Sequence, residues 1–319
     1  MDSIEKAMLG RIRSSDGASV ISPSPPPSVA AAAATADVIE RTAGLAAAPS
    51  GVTVAKPAAV RKRTQRSVTL DLEGIQAAGM LVPDTRRSRI KEEYRHIKRP
   101  LLMNIDGKGA ITPEHPNLIM VTSARPGEGK TFTACNLALS IATERDRTVL
   151  LVDADVVKPS VARVLGFEAE VGLVDFLIDD RLDLADVLVD TNVPSLTLLP
   201  AGGRHHLSTE LLASENMRRL ALEMSRRYPD RIVIFDSPPL LVTTEASVLA
   251  SLMGQVVMVV ESQRTHQNQV KEALALLDPQ QIVGFVLNKA RDSFGSDYYG
   301  YGYGYRYGYG SGDRGAAEQ

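Results

Sequence analysis

Four charged side chains in this sequence have the types and surroundings that phosphate chemistry asks for: Lys130, Asp153, Asp155 and Asp236. Lys130 sits in Pro126-Gly127-Glu128-Gly129-Lys130-Thr131, inside the longer stretch LIMVTSARPGEGKTFTACNLAL from Leu118 to Leu139. Glycines at 127 and 129 let backbone N–H groups turn inward as an anion nest, and a helix beginning at Lys130 would add its positive end. The Lys130 amine would reach the β- and γ-phosphates of a nucleotide, and the Thr131 hydroxyl would hold Mg²⁺. The usual G-x-x-x-x-G-K-[ST] pattern wants glycine where Ala124 stands, so the nucleotide reading rests on context as well as on the motif.

That context is a set of strands that must carry the acids to the loop. Leu118 to Val121 is a short apolar run feeding the turn, and Thr148 to Val152 is a continuous β-run ending in Asp153-Ala154-Asp155. Ile232 to Phe235 is tipped by Asp236, and Ser237-Pro238-Pro239 then fixes the turn. Continuous apolar runs suit strands buried on both faces of a parallel sheet, where ligands gather at the carboxyl ends. Further strands are predicted at Leu196 to Leu199, Val256 to Val260 and Val283 to Leu287, with helices at Leu182 to Leu188, Glu210 to Arg227 and Gln267 to Leu277. Strands alternating with helices over 118–288 specify an α/β fold, a mostly parallel sheet of the phosphate-loop NTPase type with helices on both faces. Upstream, Arg86 to Met103 has helical texture, with Ile90, Tyr94 and Ile97 on one face and Glu92, Arg95 and Lys98 as a charged stripe. Such a stripe is a solvated face or a contact with a neighbouring subunit.

The remainder of the chain bounds the reading. Of 319 residues the N-terminal part is rich in Ala, Pro and Ser, so the core must lie later. Residues 1–13 read as a short amphipathic helix, with Ile4, Met8 and Ile12 on one face, suited to a partner or a membrane surface or simply frayed. Residues 14–67 read as a disordered linker that cannot bury enough surface to offset ordering entropy. Within it Arg61-Lys62-Arg63 with Arg66 reads as a solvated charge run or a contact for anionic lipid. The ordered domain is expected over 68–292, with a Tyr/Gly-rich tail over 293–319. A net charge of -2 gives no argument for nucleic acid. The single Cys135 cannot form a disulfide scaffold or cysteine cluster within one chain, and its place on the apolar face of a helix suits a buried thiol. No stretch approaches the roughly 20 apolar residues of a membrane span, so the chain is expected to be cytoplasmic. The adjacent His205-His206, without acidic or cysteine neighbours, read as loop residues.

Seven of the nine tyrosines, Tyr298, Tyr299, Tyr301, Tyr303, Tyr305, Tyr307 and Tyr309, alternate with glycine near the C-terminus. Glycine packs nothing and loses the most entropy on ordering, so an ordered sheet there is disfavoured. A sticky low-complexity segment and a cluster of phosphate acceptors beside a nucleotide site are the two readings. A Gly-rich coil of about 17 residues spans roughly 20 to 25 Å on average and about 55 Å when taut, enough to find an active site on its own or an adjoining subunit.

Taken together, the PGEGKT loop, the run into Asp-Ala-Asp, Asp236-Ser237-Pro238-Pro239, Gly284-Phe285-Val286-Leu287-Asn288 and the tyrosine cluster resemble the bacterial tyrosine kinases, in the branch associated with exopolysaccharide production and exosortase systems. The resemblance covers residues 86–309. It implies tyrosine autophosphorylation of the tail from Mg·ATP and regulation of exopolysaccharide synthesis or export. By that resemblance Gly127, Glu128, Gly129, Lys130, Thr131, Phe132 and Asn288 bind the nucleotide, Asn288 through the adenine. Thr131, Asp153 and Asp236 serve the Mg²⁺, while Lys130, Asp153 and Asp155 are catalytic, with Asp153 as the base or hydroxyl-orienting group. Glu92, Arg95 and Lys98 are similar to the family's E-x-x-R-x-x-R oligomer contact with lysine for the last arginine, and Val157-Lys158 replace the arginine preferred two residues after Asp155. The implied partners are a membrane polysaccharide co-polymerase acting as activator, further copies of the chain in a ring, and a phosphotyrosine phosphatase; the implied location is peripheral, at the inner face of the plasma membrane through that partner.

One rival shares the sheet and the aspartates: a dimerising switch ATPase of the cell-division and partition type, without kinase activity. Such proteins want lysine where Arg125 stands and rarely carry a tyrosine tail. A regulator of polysaccharide assembly that only binds nucleotide is a further alternative.

Overall fold

The structure, a computed structural model, describes residues 66–84, 86–203, 205–206, 208–227 and 230–290. The N-terminal helix, nearly all of the linker with its 61–63 basic cluster, and the tail tyrosines lie outside the described residues. Eight strands form one sheet in the order β1-β4-β5-β3-β6-β2-β7-β8. They are β1 Arg66–Val68, β2 Leu118–Ser123, β3 Thr148–Asp153, β4 Val189–Thr191, β5 Leu196–Leu199, β6 Arg231–Asp236, β7 Gln255–Glu261 and β8 Ile282–Asn288. Every pairing is parallel except β4 with β5.

The central strands are buried on both faces, as their unbroken apolar runs require. Along β2, Leu118 and Met120 join one core cluster while Ile119 and Val121 join the other, the two-residue alternation that sends neighbouring side chains to opposite faces. The second cluster is closed by the helix Lys130–Ile141, here α3, which is buried without a break from Thr133 to Ile141. Another helix, α2 (Arg89–Ile105), lies on it, and both belong to that same cluster. Helix α1 (Leu72–Ala77) precedes them, with Asp71 accepting from the Gly74 amide as its cap. Cys135 is buried on α3, and burial pushes its thiol well up.

The first cluster is covered by α8 (Glu215–Arg227), through Met217, Leu220, Ala221 and Met224. The helix expected over 210–227 is two helices, α7 (Ser208–Leu212) and α8. The break falls at Ser214, whose hydroxyl donates to the Leu211 carbonyl and accepts from the Met217 amide. This is the local competition by which serine caps a helix rather than continuing one. Between β3 and β5 lie three short helices, α4 (Val161–Leu165), α5 (Leu173–Ile178) and α6 (Leu184–Val187). The last is shorter than the stretch expected over 182–188, because Asp183 caps its start. Helices α9 (Glu245–Ser251) and α10 (Gln267–Ala275) complete the crossovers.

Candidate active site

The acids and the lysine converge at the carboxyl ends of β2, β3 and β6. Ala124 is fully buried in the core beside Leu118 and Met120. Left-handed backbone is found at Gly127 (φ 88°) and Gly129 (φ 97°) but not at Ala124, so a methyl group is tolerated where the common pattern has glycine. Gly129 caps α3, which places Lys130 and Thr131 at the positive end of a helix.

Asp153 and Asp236 are register partners on the adjacent central strands β3 and β6, so they lie side by side at the carboxyl ends of those strands. The Asp153 Oδ2 accepts from the Ser160 and Val161 amides, each at 3.0 Å, whereas its Oδ1 has no partner. Neither carboxylate oxygen of Asp236 is hydrogen-bonded, although the group is fully buried. The Thr131 hydroxyl neighbours Asp236 without forming a well-aligned bond to it. Burial pushes both carboxyls up from the usual range; Lys130 opposes this at Asp236, and the backbone amides of Val161 and Ser160 oppose it at Asp153. Lys130 Nζ is 2.6 Å from Asp155 Oδ2, with both side chains largely buried. Asp155 also accepts from the Lys158 amide at 3.0 Å.

Three buried oxygens without partners, beside a hydroxyl and a lysine, are costly unless a cation or donor arrives. Among the described residues no three acidic, histidine or cysteine side chains form a closed metal cage. The set fits Mg²⁺ held in part by phosphate oxygens and water, the ion's usual habit in nucleotide sites.

The remaining predicted residues fall into two groups. Gly127 to Phe132 and Asn288 meet at the loop: Asn288 Nδ2 donates to the Glu128 carbonyl at 2.9 Å, and a Cβ on Gly129 would collide with that amide. Glu128 is buried; one carboxylate oxygen accepts from the Arg125 amide at 2.7 Å and the other from the Thr265 hydroxyl. The charged stripe is not one surface. Glu92 and Arg95 pair with each other on the exposed side of α2 at 2.6 Å. Lys98 corrects the expectation: it is buried, donates to the Ser140 carbonyl at 2.7 Å, and pairs with Glu144 at 2.6 Å. It anchors α2 to the end of α3 and shares no exposed face with Glu92 and Arg95. The rings of His205 and His206 lie against each other at a tilt of 37°, centroids 4.2 Å apart. Thr265 and Lys289 contact the loop and were not anticipated; only the lysine, directly after Asn288, carried a signal in the sequence.

Comparison with known proteins gives these residues a family. A profile described as AAA domain matches residues 117–278. The tyrosine-protein kinase YwqD of Bacillus subtilis is 35% identical over 215 residues, 66% of this chain and 86% of that protein. The succinoglycan biosynthesis transport protein ExoP of Rhizobium meliloti is 33% identical over 224 residues, 69% of this chain but only 27% of that protein. Among solved structures, the kinase domain of the Escherichia coli tyrosine kinase ETK superposes with a TM-score of 0.56 at 24% identity, covering 73% of this chain and 98% of that domain, a likeness of fold. With most of YwqD matched and the acids, lysine and loop in one place, the chain belongs to the bacterial tyrosine kinase family.

Proposed function

We propose that this chain transfers the γ-phosphoryl group of Mg·ATP to tyrosines of its own C-terminal cluster, Tyr298, Tyr299, Tyr301, Tyr303, Tyr305, Tyr307 and Tyr309. The observation that carries this is the group of three unpartnered buried carboxylate oxygens on Asp153 and Asp236, set beside Lys130 and Thr131. Phosphoryl transfer asks a protein chiefly to position groups and neutralise charge. The loop amides and Lys130 bind the β- and γ-phosphates, and Asn288 retains its Oδ1 for the adenine amine. Thr131 and Asp236 would hold Mg²⁺, with Asp153 adding its negative charge beside them; the ion when bound supplies charge neutralisation at the phosphates. Arrival of phosphate frees Lys130 from Asp155 by offering it a second anion. The tyrosine oxygen then attacks the γ-phosphorus, the bond from that phosphorus to the β–γ bridging oxygen breaks, and ADP departs with the electron pair. The phenolic proton passes to Asp153, whose Oδ1 is the free acceptor, with Asp155 holding the approach electrostatically. A phenol with a pKa near 10 needs only modest help from such a base.

The same reading assigns partners. ExoP is named for succinoglycan biosynthesis transport, and the proposed role here is control of exopolysaccharide synthesis or export. Among the described residues no helix is long and apolar enough to cross a membrane. The proposed activator is a membrane polysaccharide co-polymerase that holds the chain at the inner face of the plasma membrane. Copies would assemble through the Glu92 and Arg95 side of α2, as a ring, and a phosphotyrosine phosphatase would reset the tail. The test is incubation of the purified chain with Mg·ATP followed by a phosphotyrosine blot. Signal in the wild type, and none in Asp153→Asn or in a chain truncated after Lys289, supports the reading; ATP turnover without any signal supports a switch ATPase instead.

A further inference from the structure

The phosphate loop is held from behind by residues that no catalytic role absorbs. Lys289 Nζ donates to the Gly127 carbonyl at 2.7 Å and pairs with Glu261 at 3.3 Å. Asn288, its neighbour, donates to the Glu128 carbonyl. Consecutive residues of a strand point to opposite faces, so both could not reach one loop if β8 ran on extended. The backbone resolves this: Lys289 takes a left-handed conformation, φ 56°, uncommon for a lysine. A second brace comes from the turn after β7. There Gln263 is also left-handed, and the Thr265 hydroxyl accepts from the Glu261 amide at 3.2 Å and donates to Glu128. The two braces are joined, because the Ser262 amide donates to the Asn288 carbonyl at 2.9 Å.

The direction of these bonds matters. In a trans peptide the C=O and the following N–H point in opposite directions. Lys289, by holding the Gly127 carbonyl, turns the Glu128 N–H away from β8; Asn288, by holding the Glu128 carbonyl, does the same for the Gly129 N–H. Among the described residues neither amide donates to an acceptor within the chain. Aligned N–H groups fixed before the anion arrives bind it without paying to reorganise, whereas a loop free to flip its peptides would present carbonyl oxygens to phosphate part of the time.

We infer that Lys289, with Glu261 and Thr265, forms a clasp that presets the phosphate nest, making Lys289 and Thr265 positioning residues for nucleotide binding. The inference rests on the phosphate-loop reading above. It also gives the tyrosine cluster a fixed origin, because the chain that leads to Tyr298 departs from the residue holding Gly127.

The experiment uses the full chain and a fluorescent ADP analogue with Mg²⁺, titrated against wild type, Lys289→Met, Lys289→Arg, Thr265→Val and Thr265→Ser. Lys289→Met and Thr265→Val are each expected to weaken nucleotide binding roughly tenfold, the scale of one lost hydrogen bond to a charged group. Lys289→Arg and Thr265→Ser should recover to within about threefold, because each restores the donor. In tail labelling the loss should appear in the KM for ATP and leave kcat within about twofold, a split that general damage to the fold would not produce. Melting without nucleotide should be unchanged for Lys289→Met, whose side chain is 46% exposed. Equal affinity of Lys289→Met and wild type would overturn the clasp alone. Failure of the wild type to bind nucleotide would overturn the phosphate-loop reading beneath it, and the clasp with it.

Discussion

Lys130 and Asp155 form a buried ion pair at 2.6 Å, joining the phosphate loop to the segment after β3. Removing one member of such a pair leaves an uncompensated charge, at a cost of about 3 kcal/mol. Lys130→Met should therefore lose both nucleotide binding and stability in urea melts, while Lys130→Met with Asp155→Asn should regain most of the stability and none of the labelling. A double variant no more stable than Lys130→Met would show that the pair is not coupled.

A pH dependence follows from Asp236, fully buried and with a carboxyl pushed up chiefly by desolvation. A carboxyl raised on folding makes the native state bind more protons than the unfolded one, so its contribution to stability is complete below the unfolded value near 4 and is lost as pH rises through the folded value. Metal-free and nucleotide-free wild type should melt lower as pH rises from about 4 through neutrality, and Asp236→Asn should flatten that slope. Parallel slopes in wild type and variant, read by calorimetry, would contradict the assignment.

Much of this site was legible before the fold was in view. The strands β2, β3, β6 and β7 announce themselves as unbroken apolar runs, and the acids stand at the ends of β3 and β6. Lys98 was misplaced for a geometric reason. Two three-residue steps on an α-helix turn a side chain by about 120°, so Lys98 leaves the side of Glu92 and joins the buried face of Tyr94 and Leu101. The strands β1 and β4 have only three residues each and no apolar run, so their existence depends on partners distant in the chain. Thr265 reaches Glu128 across 137 positions, a contact that no local pattern encodes.

The two halves of the stripe on α2 should separate experimentally. Arg95→Glu alters an exposed pair, worth little to folding, and should lower the assembled mass in sedimentation without moving the melting temperature. Lys98→Met removes the donor to Ser140 and should cost about 1 to 2 kcal/mol, seen as a drop of about 3 to 6 °C. An Arg95→Glu chain that assembles like wild type would remove α2 from the interface.

Phosphate on the tail should loosen the proposed assembly. Each phosphotyrosine adds about -1.5 to -2 charges, so seven acceptors add roughly -10 to -14 per chain at full modification. Light scattering during incubation with Mg·ATP should report a falling mass that salt partly restores by screening; a constant mass despite a labelled tail would dissociate charge from assembly.

The most direct measurement is mass spectrometry of the C-terminal peptide after incubation with Mg·ATP carrying heavy oxygen in its γ-phosphate. The account predicts labelled phosphate on residues between Tyr298 and Tyr309 in wild type, and none in Lys130→Met. ATP consumed with those tyrosines unmodified would contradict it.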